Sequence, residues 1–240
     1  MKNLLNTLLF SFLFFSVGLQ AQMELDQGSL VLEITDVSSD DEQMAAMLQM
    51  MKGSQTHIFF KDGKNMSSMD MMGGMIKMKS LYDKESGSVD MLMDMMGQKM
   101  HVESSKDDMQ KATADQADAF EGFEVKYNES DTKEILGHKC VKTEIIDPKT
   151  NKATMEMYVA KGIKADSKML QGMQYFDIDG FPLEMIIIQP QMKMTMSTVK
   201  LEKEVDDSVF ALKTDGYTKM TFQEFMDKMG SMGGGGGFGF

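Results

Sequence analysis

His138 and Cys140 stand two apart in a predicted strand and so project to the same side of it. Thiolate, imidazole and thioether are fitting ligands for Cu(I). Thioethers recur at Met66, Met69, Met71 and Met72 and again at Met91, Met93, Met95 and Met96. No histidine-rich tract or Cys-x-x-Cys pair accompanies them. Methionines two apart are also what any apolar strand face in this chain presents, and a lone buried cysteine is inert. Soft-metal binding through His138 and Cys140 is therefore the runner-up. Asp177 with Asp179, and Asp206 with Asp207, are paired carboxylates of the kind hydrolysis uses. Both pairs flank turns, where aspartate hydrogen-bonds the backbone, and 37 acidic residues make such pairs common. The Gly-x-Ser-x-Gly elbow, the His-Glu-x-x-His pair and the glycine-rich phosphate loop are absent. His57 and His101 stand singly in predicted strands and read as ordinary face residues. The expectation is no enzyme, no cofactor and no resident metal.

The third chemistry is apolar. Between residues 181 and 201 two strands meet at Gln189, Pro190 and Gln191, and in the second Met192, Met194 and Met196 alternate with Lys193, Thr195 and Ser197. A two- or four-residue connection sets Leu183, Met185 and Ile187 beside the methionines and Glu184 beside the polar set. Met91, Met93, Met95, Met155 and Met157 show the same alternation elsewhere. Together these residues form a candidate wall for a lipid or other hydrophobic ligand, because flexible thioethers adapt to varied apolar shapes. The plainer alternative is a filled core serving an envelope interaction module.

Elements to position this wall follow from periodicity. A first strand lies within residues 25–37. An amphipathic helix over 40–52 carries Met44, Met47, Leu48 and Met51 on one side and stops at Gly53. The Asp62-Gly63 signal closes a hairpin of residues 56–60 and 65–71. A second hairpin joins 75–83 to 88–96, with a further strand over 98–103. Met-Asp-Met-Met-Gly occurs at 69–73 and 93–97, with a looser copy at 226–230, which suggests a repeated hairpin. Residues 104–119 read as a weak helix or loop, and strands follow at 123–127, 135–146, 153–160 and 175–178. Thr221 and Glu224 form a capping box for a last helix, with Met220 and Phe225 as its staple.

Composition sets the compartment. Residues 1–21 carry a lysine near the start, an apolar run and a small-residue exit, the pattern of a secretory signal peptide cleaved near Ala21. No later stretch approaches the ~18 apolar residues of a spanning helix. The expectation is a periplasmic or secreted protein without stable membrane insertion, built as one domain over 22–230 with a flexible glycine-rich tail over 231–240. Every one of the 25 basic residues is lysine and the net charge is −12, which disfavours nucleic acid. Residues 22–240 hold 29 methionines against 11 leucines, so methionine stands in leucine's place, which reads as a general core filler or, more sharply, as an adaptable ligand wall, a soft-metal site or an oxidant sink.

Several short stretches carry a family resemblance: 60–66 (Phe-Lys-Asp-Gly-Lys-Asn-Met), 134–140 (Glu-Ile-Leu-Gly-His-Lys-Cys), 180–185 (Gly-Phe-Pro-Leu-Glu-Met), and 206–210 running on to 216–220. With these the chain resembles an uncharacterised family of secreted bacterial proteins that is similar to the lipoprotein-localisation-factor superfamily (LolA- and LolB-like). The resemblance implies an α+β fold: a single, strongly curved antiparallel sheet, a half-open barrel, with helices on its concave face. It also implies carriage of acyl chains in the cavity. The lipoprotein carriers use an arginine in opening their lid, and this chain has none.

Overall fold

The computed structural model describes residues 23–166, 170 and 173–231. The expected signal peptide and the glycine-rich tail beyond Ser231 lie outside the described residues. Among those described, twelve strands form one open sheet, and tight hairpins build much of it. Strand β2 (Gly28–Ser38) is followed by helix α1 (Glu42–Gln49), whose first turn is capped by the Asp41 carboxylate accepting the Met44 N–H at 2.8 Å. Strands β3 (Gln55–Lys61) and β4 (Lys64–Met71) turn at Asp62-Gly63, both residues at positive φ, as the Asp-Gly signal requires. Strands β5 (Ile76–Asp83), β6 (Ser88–Met95) and β7 (Gln98–Ser104) continue the meander, and helix α2 (Lys106–Ala119) settles the ambiguous polar stretch as helix.

Then come β8 (Glu124–Ile135), β9 (His138–Asp147), β10 (Lys152–Ala160), β12 (Phe181–Gln189) and β13 (Met192–Glu202). The chain closes with β14 (Thr218–Thr221) and helix α3 (Phe222–Ser231). The strand order is β14-β7-β6-β5-β4-β3-β2-β13-β12-β10-β9-β8. Two short strands, β1 (Met23–Glu24) and β11 (Ile163–Lys164), pair separately.

The α+β class stands, but a single, wholly antiparallel sheet does not. β14 runs parallel to β7, and the separate β1–β11 ladder is parallel too. The chain path is the reason. From β13, in the middle of the order, a 3₁₀ turn at Asp207–Phe210 packs on β4 before the chain reaches the β7 edge. So long a crossover has no hairpin to impose the antiparallel direction.

Residues 135–146, expected as one strand, are split by a two-residue turn at Leu136-Gly137, with φ of 50° and 78°. Leucine is a poor signal for the left-handed region, and the turn went unread. The Met-Asp-Met-Met-Gly copies do sit at equivalent strand ends: Met72-Gly73 and Met96-Gly97 leave β4 and β6 with positive φ at both residues. The looser copy lies in α3. The capping box of α3 is present, with the Glu224 carboxylate accepting the Thr221 N–H at 2.7 Å and Thr221 Oγ1 accepting the Glu224 N–H at 3.2 Å. The Thr221 N–H, with the Thr221 hydroxyl donating to the same carboxylate at 3.0 Å, holds the Glu224 carboxyl below its usual range.

Candidate functional site: the methionine face

Cα partners, followed strand to strand, show which side chains share a face. Met93 pairs with Met78, Met78 with Met69, Met69 with Thr56 and Thr56 with Leu32. Two residues along β2, Ile34 pairs with Met196, Met196 with Met185, and Met185 with Met157. By the same register and alternation, Met91, Met95, Met155, Leu183, Ile187, Met192 and Met194 join that face. Every residue of the expected wall therefore lies on one side of one sheet. Gln189 pairs with Met192, so the connection is the two-residue Pro190-Gln191 loop. As expected, Glu184 pairs with Ser197 on the opposite side.

The wall is capped in three patches. Phe225 of α3 packs with Met91, Met93, Met100 and Val102, with Met95 and Met78 at the margin. Leu48 of α1 packs with Ile34 and Val37, and Met192, Met194 and Met196 lean on that group. The connection after β10 supplies Leu170, Met173, Phe176 and Ile178 to a larger cluster containing Met157, Leu183 and Met185. α1 and α3 thus cover the same face. Met91, Met93, Met157, Leu183 and Met185 are buried as core, whereas Met95, Met155, Ile187, Met192, Met194 and Met196 are only half-buried. Thr198, on this face opposite Leu32, is 2% exposed, and its hydroxyl has no hydrogen-bond partner among the described residues. Such an orphaned group is costly.

Two clefts among the described residues are lined by no residue of the expected wall. One of about 880 Å³ lies beside the β1–β11 ladder, with Leu25, Ile163 and Ile178 in its lining and a charged rim that includes Asp26, Lys161 and Asp177. The other, about 490 Å³, borders Met50, His57 and Asp70. Of the paired carboxylates, those of Asp206 and Asp207 have structural work. Asp177 and Asp179 line the larger cleft, where Tyr127 Oη accepts the Asp179 N–H at 2.7 Å. Asp206 accepts the Ser208 N–H at 2.8 Å, and hydrogen bonds from the Ser208 hydroxyl and then its N–H hold the Asp206 carboxyl below the usual range. Asp207 pairs with Lys61 at 2.6 Å.

Cys140 packs in the buried cluster that holds Met157, Leu183 and Met185, while register places Lys142, Tyr158 and Glu184 on the face opposite the methionines. The Cys140 thiol is fully buried and donates to the His138 carbonyl at 3.4 Å. Burial pushes it up to about 11, away from the thiolate that soft metals bind. The face opposite the methionines holds a buried ion pair that the sequence did not announce. The Glu184 side chain, 7% exposed, receives Lys133 at 2.7 Å and the Ser197 hydroxyl at 2.7 Å. Lys133 lies over the Tyr158 ring, and Tyr158 donates to Asp131 at 3.1 Å. These partners are distant in the chain, and only the register between β8, β9, β10 and β12 brings them together.

No family model matches the chain, and no curated protein matches it. Among solved structures it is similar to the lipoprotein LppX of Mycobacterium tuberculosis, at 8% identity, covering 76% of this chain and 89% of that one, with a TM-score of 0.40. A LolA superfamily protein of Nitrosomonas europaea is 10% identical, covers 78% and 91%, and scores 0.34. LprF of Mycobacterium bovis is 12% identical, covers 76% and 88%, and also scores 0.34. Of the three, the Nitrosomonas europaea protein is of the superfamily that the short motifs resemble. The likeness is one of general outline and assigns no residue of this chain a role. Among the described residues no helix is long and apolar enough to cross a membrane.

Proposed function

We propose that the protein is a non-enzymatic binder of a lipid or other hydrophobic molecule, working as a single periplasmic or secreted domain over residues 22–230. The observation that supports this is the continuous apolar face of an open sheet, covered in separate patches so that Met95, Met155, Ile187, Met192, Met194 and Met196 stay half-exposed. In this reading the sheet curves about that face, α1 and α3 lie on its concave side, and the ligand enters between the patches. Burial of apolar surface, at roughly 25 cal/mol per Å², supplies the affinity, and methionine supplies tolerance of shape. Thr198 offers its hydroxyl to a polar group of the ligand. The fully buried members of the wall act as its floor and need not touch the ligand.

Native mass spectrometry of protein purified from its own cell envelope, followed by solvent extraction, tests this. The expected result is a protein peak carrying a discrete extractable lipid mass. Protein that is uniformly bare, and that takes up no added fatty acid or phospholipid, would leave the filled-core interaction module as the account.

A further inference from the structure

A second feature lies on the opposite face, near the β7 edge. Asp90 of β6 and Glu103 of β7 are direct cross-strand partners, so two carboxylates face each other on one side of the sheet. Like charges in that position repel. Between them reaches His101, two residues before Glu103 and on the same face. Its Nε2 stands 3.5 Å from Asp90 Oδ1 and 4.0 Å from Glu103 Oε1, and a donor atom from each of the three lies within 4.8 Å of the others. That nitrogen is buried and has no hydrogen-bond partner among the described residues. A buried ring nitrogen without a partner is costly too.

We propose that Asp90, His101 and Glu103 form a binding site for a divalent first-row transition ion, with Zn²⁺ and Mn²⁺ as the fitting examples. Imidazole and carboxylate oxygen are the donors these ions take. Two ligands bound tetrahedrally at ~2.1 Å stand roughly 3.4 Å apart, close to the imidazole–Asp90 spacing, and small rotations of the two half-exposed carboxylates complete the set. One ion relieves both costs, giving the orphaned nitrogen a partner and neutralising the facing charges. Three protein ligands leave a coordination position open to water or to a donor from another molecule.

Lys219 of β14, paired in register with His101, places its ammonium 2.7 Å from Glu103 Oε1 and is the built-in competitor. Its charge and this bond hold the Glu103 carboxyl below its usual range. An ion must displace the ammonium or take the carboxylate's other oxygen. The site thus couples metal occupancy to the short parallel strand that carries α3. The inference is independent of the ligand on the methionine face.

Isothermal titration of the chelator-treated protein with ZnCl₂, and separately with MnCl₂, tests it. The expected result is one equivalent bound. His101→Ala and Asp90→Asn should each weaken binding on the order of tenfold or more, and Lys219→Ala should tighten it. Circular dichroism reports whether each variant is folded. Lys219 is exposed, so the tightening arm remains informative if His101→Ala unfolds. Zn²⁺ should also raise the melting temperature of the wild type and not of His101→Ala. No binding, binding unchanged in His101→Ala and Asp90→Asn, or a Lys219→Ala variant that binds no more tightly would each overturn the proposal and leave a plain surface ion pair.

Discussion

Strand β12 buries Phe181, Pro182, Leu183, Glu184 and Met185 in succession, whereas β5, on the far side of β2 in the same sheet, buries none of its eight residues. Both strands open with apolar side chains at alternate positions, Phe181, Leu183 and Met185 in one and Ile76 and Met78 in the other. What differs is the covering. Around β12 the connection after β10 closes the methionine face, and the Lys133–Glu184 pair and its hydroxyl partners close the other. Around β5 the methionine face meets α3 only at its margin, through Met78, and the opposite face presents Lys77 and Lys79 to solvent. The first half of β12 lies in a filled core. β5 keeps apolar surface available, as do Ile187 in the second half of β12 and Met192, Met194 and Met196 of β13, and a greasy ligand needs that kind of surface.

The contrast can be broken by mutation, with urea denaturation as the measure. Phe181→Ala removes a fully buried ring and should cost about 3–5 kcal/mol. A cost near that of a surface site would deny the closed core. Lys133→Ala leaves the Glu184 carboxylate buried with the Ser197 hydroxyl as its remaining named donor. Because the Lys133 side chain is 48% exposed, the expected cost is about 2 kcal/mol, below the range for fully buried pairs.

A smaller effect is expected at Cys140. Its thiol is raised to about 11 by burial, so the folded state favours the neutral form. The stabilisation is complete below the unfolded value of about 9 and is lost as pH rises from there through 11. A disulfide-exchange reagent at pH 8 should leave the native thiol unmodified and label it in urea; rapid native labelling would show that this half opens. Smallest of all, Met78→Ala in β5 should cost under about 1 kcal/mol, since its side chain is only half-buried.

Local signals were legible and long-range ones were not. The start of α3 could be read from Thr221, Glu224, Met220 and Phe225 because all four lie within six residues and their bonds are made inside that window. The Asp62-Gly63 hairpin could be read for the same reason, and the turn around Pro190 was legible in place, with its length left open between two and four residues. The shared methionine face was legible as separate alternations, and the register joins them into one surface. β14 was missed because its four residues become a strand only by pairing with β7. The Leu136-Gly137 turn was missed because leucine does not signal positive φ. The expectation that His101 was an ordinary face residue failed to see its neighbours, since Asp90 comes from another strand and Lys219 from the far end of the chain. Which wall residues are core and which half-exposed depends on what α1, α3 and residues 170–178 cover, and nothing in the strand sequences states that.

The central claim is that a hydrophobic ligand contacts the half-exposed methionines and not the buried ones. Methionine-methyl NMR of the protein with and without a long-chain fatty acid such as palmitate tests it most directly. The account predicts that the resonances of Met95, Met155, Met192, Met194 and Met196 shift first and furthest, while those of Met91, Met93, Met157 and Met185 stay nearly fixed. A spectrum unchanged by the ligand, or changed only at the exposed Met47, Met50 and Met96, would contradict it.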